Sequence, residues 1–230
     1  MLLHGFLPSL LEGAAVTMGV ALSSLLVAAA LGLAGALAKL SRSRVAQALA
    51  AVYTTLIRGV PDLVLMLLVF YGGQIGINTL APMLGHDDYI DIDPFIAGVL
   101  TIGFIFGAYL TEAFRGAFLA VPPGQREAGL AYGMSPRQVL WRITLPQMLR
   151  HALPGLSNNW LVLIKSTAIV SVIGLSDVMT RGQQAAGTTR EPFNFYLAVA
   201  LIYLVFTSLS ELAFRWANKR LAIGAKEAKL

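Results

Sequence analysis

Residues 13–38 read GAAVTMGVALSSLLVAAALGLAGALA, with no charged side chain from end to end. A hydrocarbon core asks for about 20 apolar residues in helical form, and this run exceeds that. In lipid, every backbone N–H and C=O of such a stretch must find its partner inside the helix. Working outward, four more stretches qualify: 62–80, with its apolar core at 63–71, then 94–119, 156–178 and 193–216. Composition agrees. The chain is 57% apolar and 13% charged, where a soluble domain carries roughly 25% charged residues. Mean hydropathy is +0.71. The expectation is an all-α integral membrane protein with about five transmembrane helices, forming one membrane domain over residues 1–230.

In a soluble chain the net charge of +5 would suggest nucleic acid. Here the basic residues have an ordered placement. Lys39, Arg42, Arg44 and Arg58 lie between spans one and two, and Arg126, Arg137, Arg142 and Arg150 between spans three and four. Arg215, Lys219, Arg220, Lys226 and Lys229 follow span five. The loop between spans two and three has Asp87, Asp88, Asp91 and Asp93 and no Lys or Arg; the loop between spans four and five has only Arg181 and Arg190. Positive charge marks the cytoplasmic side, so the amino terminus is expected outside and the carboxyl terminus in the cytoplasm. The amino terminus lacks the pattern of a removable signal peptide.

Several chemistries find no support. There is no cysteine, which excludes disulfides, thiol catalysis and Cys-ligated metals. The Asp cluster lacks the ligand order and turn glycine of a calcium loop, and His4, His86 and His151 are scattered, so neither a metal nor another cofactor is expected. No Walker A loop occurs, nor an H-E-x-x-H or G-x-S-x-G motif. The chain reads as a non-enzyme.

Residues 121–154 are too polar to span and too patterned for an irregular loop. Pro122 and Pro123 suit the opening of a helix, and residues 125–132 continue it. Gly133 suits a left-handed position ending it. Ser135-Pro136-Arg137-Gln138 reads as a capping box with proline in the first helical position. A second helix is expected to run to about Leu145, with Pro146 interrupting it. Two short helices on a glycine turn resemble a DNA-binding helix-turn-helix, but a loop tethered to spans at both ends is a poor reader of a duplex. Docking into a groove of a cytoplasmic partner fits better.

Glu127-Ala128-Gly129, then Gly133, then Ile143-Thr144-Leu145-Pro146 resembles the EAA loop of ABC importer permeases, with Gly129 in place of the usual second alanine. That substitution is expected to loosen the first short helix slightly. The likeness continues. Residues 53–61 (YTTLIRGVP) are similar to the stretch before the second span of polar amino-acid permeases, and residues 109–116 (YLTEAFRG) to the end of their third. Asn158-Asn159-Trp160, Lys165-Ser166-Thr167 and Ser171-Val172-Ile173-Gly174 resemble the fourth span. Within the family the chain looks most like the Q-type membrane subunits of histidine/lysine/arginine/ornithine importers. The resemblance implies a bacterial inner-membrane permease that pairs with a second permease chain, hetero- or homodimeric. It also implies a cytoplasmic ABC ATPase dimer, which performs the ATP hydrolysis, and a periplasmic amino-acid-binding protein. The substrate would be a polar, basic amino acid; glutamine, glutamate or an opine-like derivative is the alternative, with a passive channel or scaffold behind both. Glu127, Ala128, Gly129, Gly133, Ile143, Leu145 and Pro146 would couple to the ATPase.

Ionisable groups in hydrocarbon are costly and face a bundle interior or a water-filled path. Glu112 and Arg115 are spaced to pair on one helix face, the preferred reading; Glu112 is also a candidate counter-charge for a cationic substrate. Lys165 has Glu112, Asp177 or a substrate carboxylate as possible partners. Thr167, Ser171 and Gly174 fall at i, i+4 and i+7, a small polar stripe for either tight packing or a substrate path. Asp177, at the outer end of span four, either meets incoming substrate or caps a helix end in water. Asp62 suits a helix's first turn by its charge.

Overall fold

A computed structural model describes residues 2–85 and 88–221. His86, Asp87, Lys226 and Lys229, used above, lie outside the described residues. The described chain is helical and contains no strand.

The first long helix, α1 (Leu7–Leu40), has Pro8 in its first turn. It starts before the charge-free run and so includes Glu12, which pairs with Arg181 at 2.6 Å. Ser43 then caps α2 (Arg44–Gly59), accepting from the Ala46 N–H at 3.3 Å. Span two is α3 (Asp62–Leu80), with Asp62 in its first turn. Span three is α4 (Pro94–Leu119), capped by Asp93, which accepts from the Ile96 N–H at 2.9 Å. Two short helices follow, α5 (Pro123–Ala131) and α6 (Pro136–Val139). A π-helical turn, Leu140–Thr144, leads into α7 (Leu145–Ser166), which tightens into a 3-10 helix over Thr167–Ile173. Then come α8 (Val178–Thr189) and α9 (Pro192–Leu221).

Five helices are long and apolar enough to cross a membrane: Leu7–Leu40, Asp62–Met83, Pro94–Leu119, Pro136–Ile173 and Pro192–Arg220. Spans two and three fall where the hydropathy placed them. Span four differs. Pro146 does not interrupt its helix. Proline lacks an N–H and crowds the carbonyl four residues earlier; here the preceding turn widens, with the Leu145 N–H donating to the Leu140 carbonyl. Pro146 then sits in the first turn of α7 and Pro154 within it. One continuous rod therefore joins the polar loop to the membrane.

Helices α1 and α4 run parallel in close register, as alternating crossings demand of spans one and three. Gly103 faces Val27, Gly32 faces Leu110, and Gly35 faces Thr111. A methyl group on Gly35 would come within 2.3 Å of the Thr111 hydroxyl oxygen. Without a hydrophobic force between helices in lipid, such small residues supply the close backbone approach that holds them together. The main core surrounds this seam, with Ile102, Ile105, Phe106 and Leu110 of α4 against Val20 and Ala28 of α1 and Leu163 and Ile164 of α7.

Candidate functional site

The polar loop is built as its sequence dictates. Residue Pro123 opens α5, and a Schellman motif closes it: the Gly133 N–H donates to the Leu130 carbonyl at 2.9 Å and the Met134 N–H to the Gly129 carbonyl at 3.1 Å. Gly133 holds φ at 80°, a conformation that costs other residues roughly 1–2 kcal/mol. The capping box is present. The Gln138 N–H donates to the Ser135 hydroxyl at 3.3 Å, and the Ser135 N–H to Gln138 Oε1 at 2.8 Å.

Gly129 has a packing reason. It is buried under the second helix, and a Cβ there would lie 2.7 Å from Ile143 Cδ1 and 3.0 Å from Val139 Cγ2. The space of the usual alanine methyl is taken by Ile143. Leu145 packs on the main core. Glu127, Ala128 and Pro146 are exposed, beside Tyr132 at 91% and Trp141 at 63% exposure. A cavity of about 170 Å³ between the loop and the end of α4 is lined by Phe118, Arg126, Leu130, Pro136, Val139, Leu140 and Thr144.

The second feature is a charged knot at the Lys39 end of the bundle. Glu112 of α4 pairs with Arg115 at 3.1 Å through Oε2 and with Lys39 of α1 through Oε1. Lys39 also donates to the Thr54 hydroxyl of α2 at 2.6 Å. The carboxylate joins α4 to α1, Lys39 extends the link to α2, and the carboxylate is already faced by two cations. Close by, the Tyr53 hydroxyl donates to the Phe104 carbonyl at 2.5 Å, and Arg58 lies over the Tyr109 ring at 5.5 Å. Burial pushes the Tyr53 phenol up to about 12, so it remains a donor at any physiological pH.

Among the remaining polar residues of span four and its outer end, three expectations need correction. Lys165 pairs with neither Glu112 nor Asp177; it is exposed on the single chain and has no ion pair or hydrogen bond among the described residues. Thr167, Ser171 and Gly174 do not form one stripe, because the helix tightens to three residues per turn there. In that geometry i and i+3 eclipse, and the buried set is Thr167, Val170 and Ile173; Ser171 turns to another face and Gly174 ends the helix at φ 88°. Asp177 is not a cap in water. It is fully buried, caps α8 by accepting from the Thr180 N–H at 2.8 Å, and leaves Oδ2 without a hydrogen-bond partner among the described residues. Burial pushes its carboxyl above the usual carboxylate range, against the pull of the α8 N–H bonds.

Sequence reasoning missed α2, and with it Thr54, and missed Lys39 of α1 as the partner of Glu112. The signal was present: Ser43 as a cap, then Ala50, Thr54 and Ile57 at helical spacing for one face. The length fell short of a span, so a search for spans passed over it.

No cluster of three or more His, Cys, Asp or Glu able to hold a metal occurs among the described residues. Residues 28–223 match the family described as binding-protein-dependent transport system inner membrane component. The chain is 52% identical over 229 residues, all of both chains, to the histidine/lysine/arginine/ornithine transport system permease protein HisQ of Salmonella typhimurium. It is 43% identical to the octopine transport system permease protein OccQ of Rhizobium radiobacter, over 92% of this chain and 89% of the relative. A crystal structure of an amino acid ABC transporter with histidines superposes with a TM-score of 0.78 at 30% identity, covering 93% of this chain and 94% of that one. The fold, the loop and these relatives agree: the chain belongs to the inner-membrane components of binding-protein-dependent transport systems.

Proposed function

We propose that this chain is a permease subunit of an ATP-driven importer for basic amino acids of the histidine, lysine, arginine and ornithine class. The observation that carries this is the full-length, 52% identity to a permease of that specificity. A second reading, an opine-type substrate, is supported by the 43% identity to the octopine permease. ATP hydrolysis belongs to a partner. The basic end of the bundle faces the cytoplasm, the amino terminus faces the periplasm, and the chain pairs with a second permease, two ATPase subunits and a periplasmic binding protein.

In this reading Glu127, Ala128, Tyr132 and Trp141 meet the ATPase. Gly129, Gly133 and Ile143 set the angle between the two short helices, and Leu145 and Pro146 begin the rod that enters the membrane. Closure of the ATPase dimer displaces the loop; the continuous Pro136–Ile173 helix carries that displacement across the bundle as a rigid body. Lys165, with no partner among the described residues, lines the path beside Thr167 and Ser171 and receives a substrate carboxylate. Glu112 acts as a tie between helices, and Asp177 supports the outer wall of the path.

The test is ATP turnover of the complete complex in proteoliposomes with histidine, arginine, lysine, glutamine, glutamate and octopine offered in turn. Stimulation by the basic set supports the proposal. Stimulation by octopine alone moves the substrate to the second reading, and no association with an ATPase refutes the assignment. In the same system, Gly133→Val should leave the complex assembled and cut substrate-stimulated turnover at least about tenfold, because φ near +80° is strained for valine. Normal uptake would remove Gly133 from the coupling path.

A further inference from the structure

The helix α2 has three faces. Ala50, Thr54 and Ile57 are buried against α1 and α4. Val45, Leu49, Val52 and Leu56 follow at i, i+4, i+7 and i+11, one stripe of a helix, and stand 70%, 67%, 56% and 61% exposed. Arg44, Gln47, Thr55 and Arg58 occupy the remaining side, and all are exposed. Residues 39–61 contain four basic and no acidic side chains. Lys39 is taken by Glu112. Arg42, Arg44 and Arg58 have no carboxylate partner among the described residues.

The position of the helix matters. Lys39, in the last turn of α1, reaches Thr54, and Arg58 covers Tyr109 of α4. Thus α2 packs beside the basic ends of α1 and α4, between two spans in the chain, without being long enough to be one. A short helix with an apolar stripe, a basic flank and no acid has the makings of an interfacial helix, its stripe in the acyl boundary and its cations at the phosphate level.

We infer that α2 is a docking surface for anionic phospholipid: the Val45–Leu49–Val52–Leu56 stripe enters the acyl boundary, and Arg42, Arg44 and Arg58 bind headgroup phosphates. Zwitterionic lipid satisfies the stripe but offers the three arginines no net negative charge. Anionic lipid satisfies both, at roughly one unit of favourable interaction per basic side chain near the surface. Because α2 is tied to α4 through Tyr53 and Arg58, lipid charge bears on the helix that leads into the polar loop. The inference needs only the membrane setting and is independent of the substrate.

The experiment uses the assembled complex in nanodiscs of phosphatidylcholine with and without phosphatidylglycerol. Leu49→Trp reports on the stripe through quenching by brominated acyl chains, read as the difference from the parent, which has Trp141, Trp160 and Trp216. Quenching is expected, and stronger from brominated phosphatidylglycerol than from brominated phosphatidylcholine. Co-purified phosphatidylglycerol, measured by mass spectrometry, should fall at least about tenfold in R42Q/R44Q/R58Q and persist in R42K/R44K/R58K. No quenching at all would mean that another subunit covers the stripe, and would overturn the inference. Equal quenching by the two brominated lipids would overturn it without any arginine variant. Undiminished phosphatidylglycerol in an assembled R42Q/R44Q/R58Q complex would do the same.

Discussion

Helices α4 and α9 are both membrane spans of similar hydropathy, yet the chain treats them in opposite ways. About two-thirds of the most apolar window of α4 (67%) is buried within the chain, against 6% for α9 and 6% for α3. Helix α4 touches α1, α2, α3 and α7, and its glycines let those neighbours approach. Helix α9 shows Leu201, Leu204, Leu209 and Leu212 to the outside. Hydropathy is therefore blind to which helix is the axis of the protein. In lipid, apolar surface alone confers no preference for protein over solvent; small residues and polar ties do. The seam of α1 and α4 has both, in Gly32, Gly35, Gly103 and the Glu112 knot.

This contrast can be broken at its strongest point. Gly35→Val should destabilise by about 3 kcal/mol or more, since overpacking a closed seam forces backbone movement where even one methyl group meets Thr111. Leu209→Val on α9 should be close to neutral. Recovery of monodisperse complex after detergent extraction, and its thermal midpoint, compare the two. Equal losses would mean that α9 is as tightly packed in the assembly as α4 is in the chain.

Next in size is Glu112→Gln. It leaves Lys39 and Arg115 facing each other without the carboxylate that joins them, and about 1 to 2 kcal/mol of stability should go with it, more than a surface pair would lose. A double-mutant cycle with Lys39→Met isolates the tie. A drop in stimulation by cationic substrates with unchanged stability would instead return Glu112 to the role of substrate counter-charge.

The smallest effect is at the other end of the seam. Asp177→Ala removes the α8 cap and should cost about 1 kcal/mol, whereas Asp177→Asn keeps a capping oxygen. Burial raises the folded-state pKa of Asp177. The protonated form is thus favoured by folding, and a penalty on the wild type develops as pH rises from the ordinary carboxylate range through that raised value. At neutral pH the asparagine variant should therefore match or exceed the wild type in thermal midpoint. Its advantage should shrink as pH falls. A pH-independent difference would mean that Asp177 stays ionised in the fold.

Much of this was legible without a structure, for reasons that lie within a few residues of one another. The spans at 62–80 and 94–119 followed from runs of apolar side chains bounded by proline and aspartate. The turn at Gly133 and the capping box at Ser135 followed from local chemistry, since a left-handed residue and a reciprocal side-chain cap need only their neighbours in the chain. What the chain kept hidden involved distance or compensation. Pro146 was read as a break because proline ordinarily is one; only the widened turn from Leu140 shows how the helix survives it. The stripe at Thr167, Ser171 and Gly174 assumed an α-helical period that the last turn of span four abandons. Lys39, 73 positions from Glu112, became its partner because α1 and α4 lie side by side at close range, and Asp177 became buried because α1, α8 and α9 close around it. Hydrogen-bond satisfaction along one helix is a local matter that composition and spacing determine. Which charge meets which, and which face meets lipid, depends on the packing of whole helices, and that was decided only in the tertiary structure.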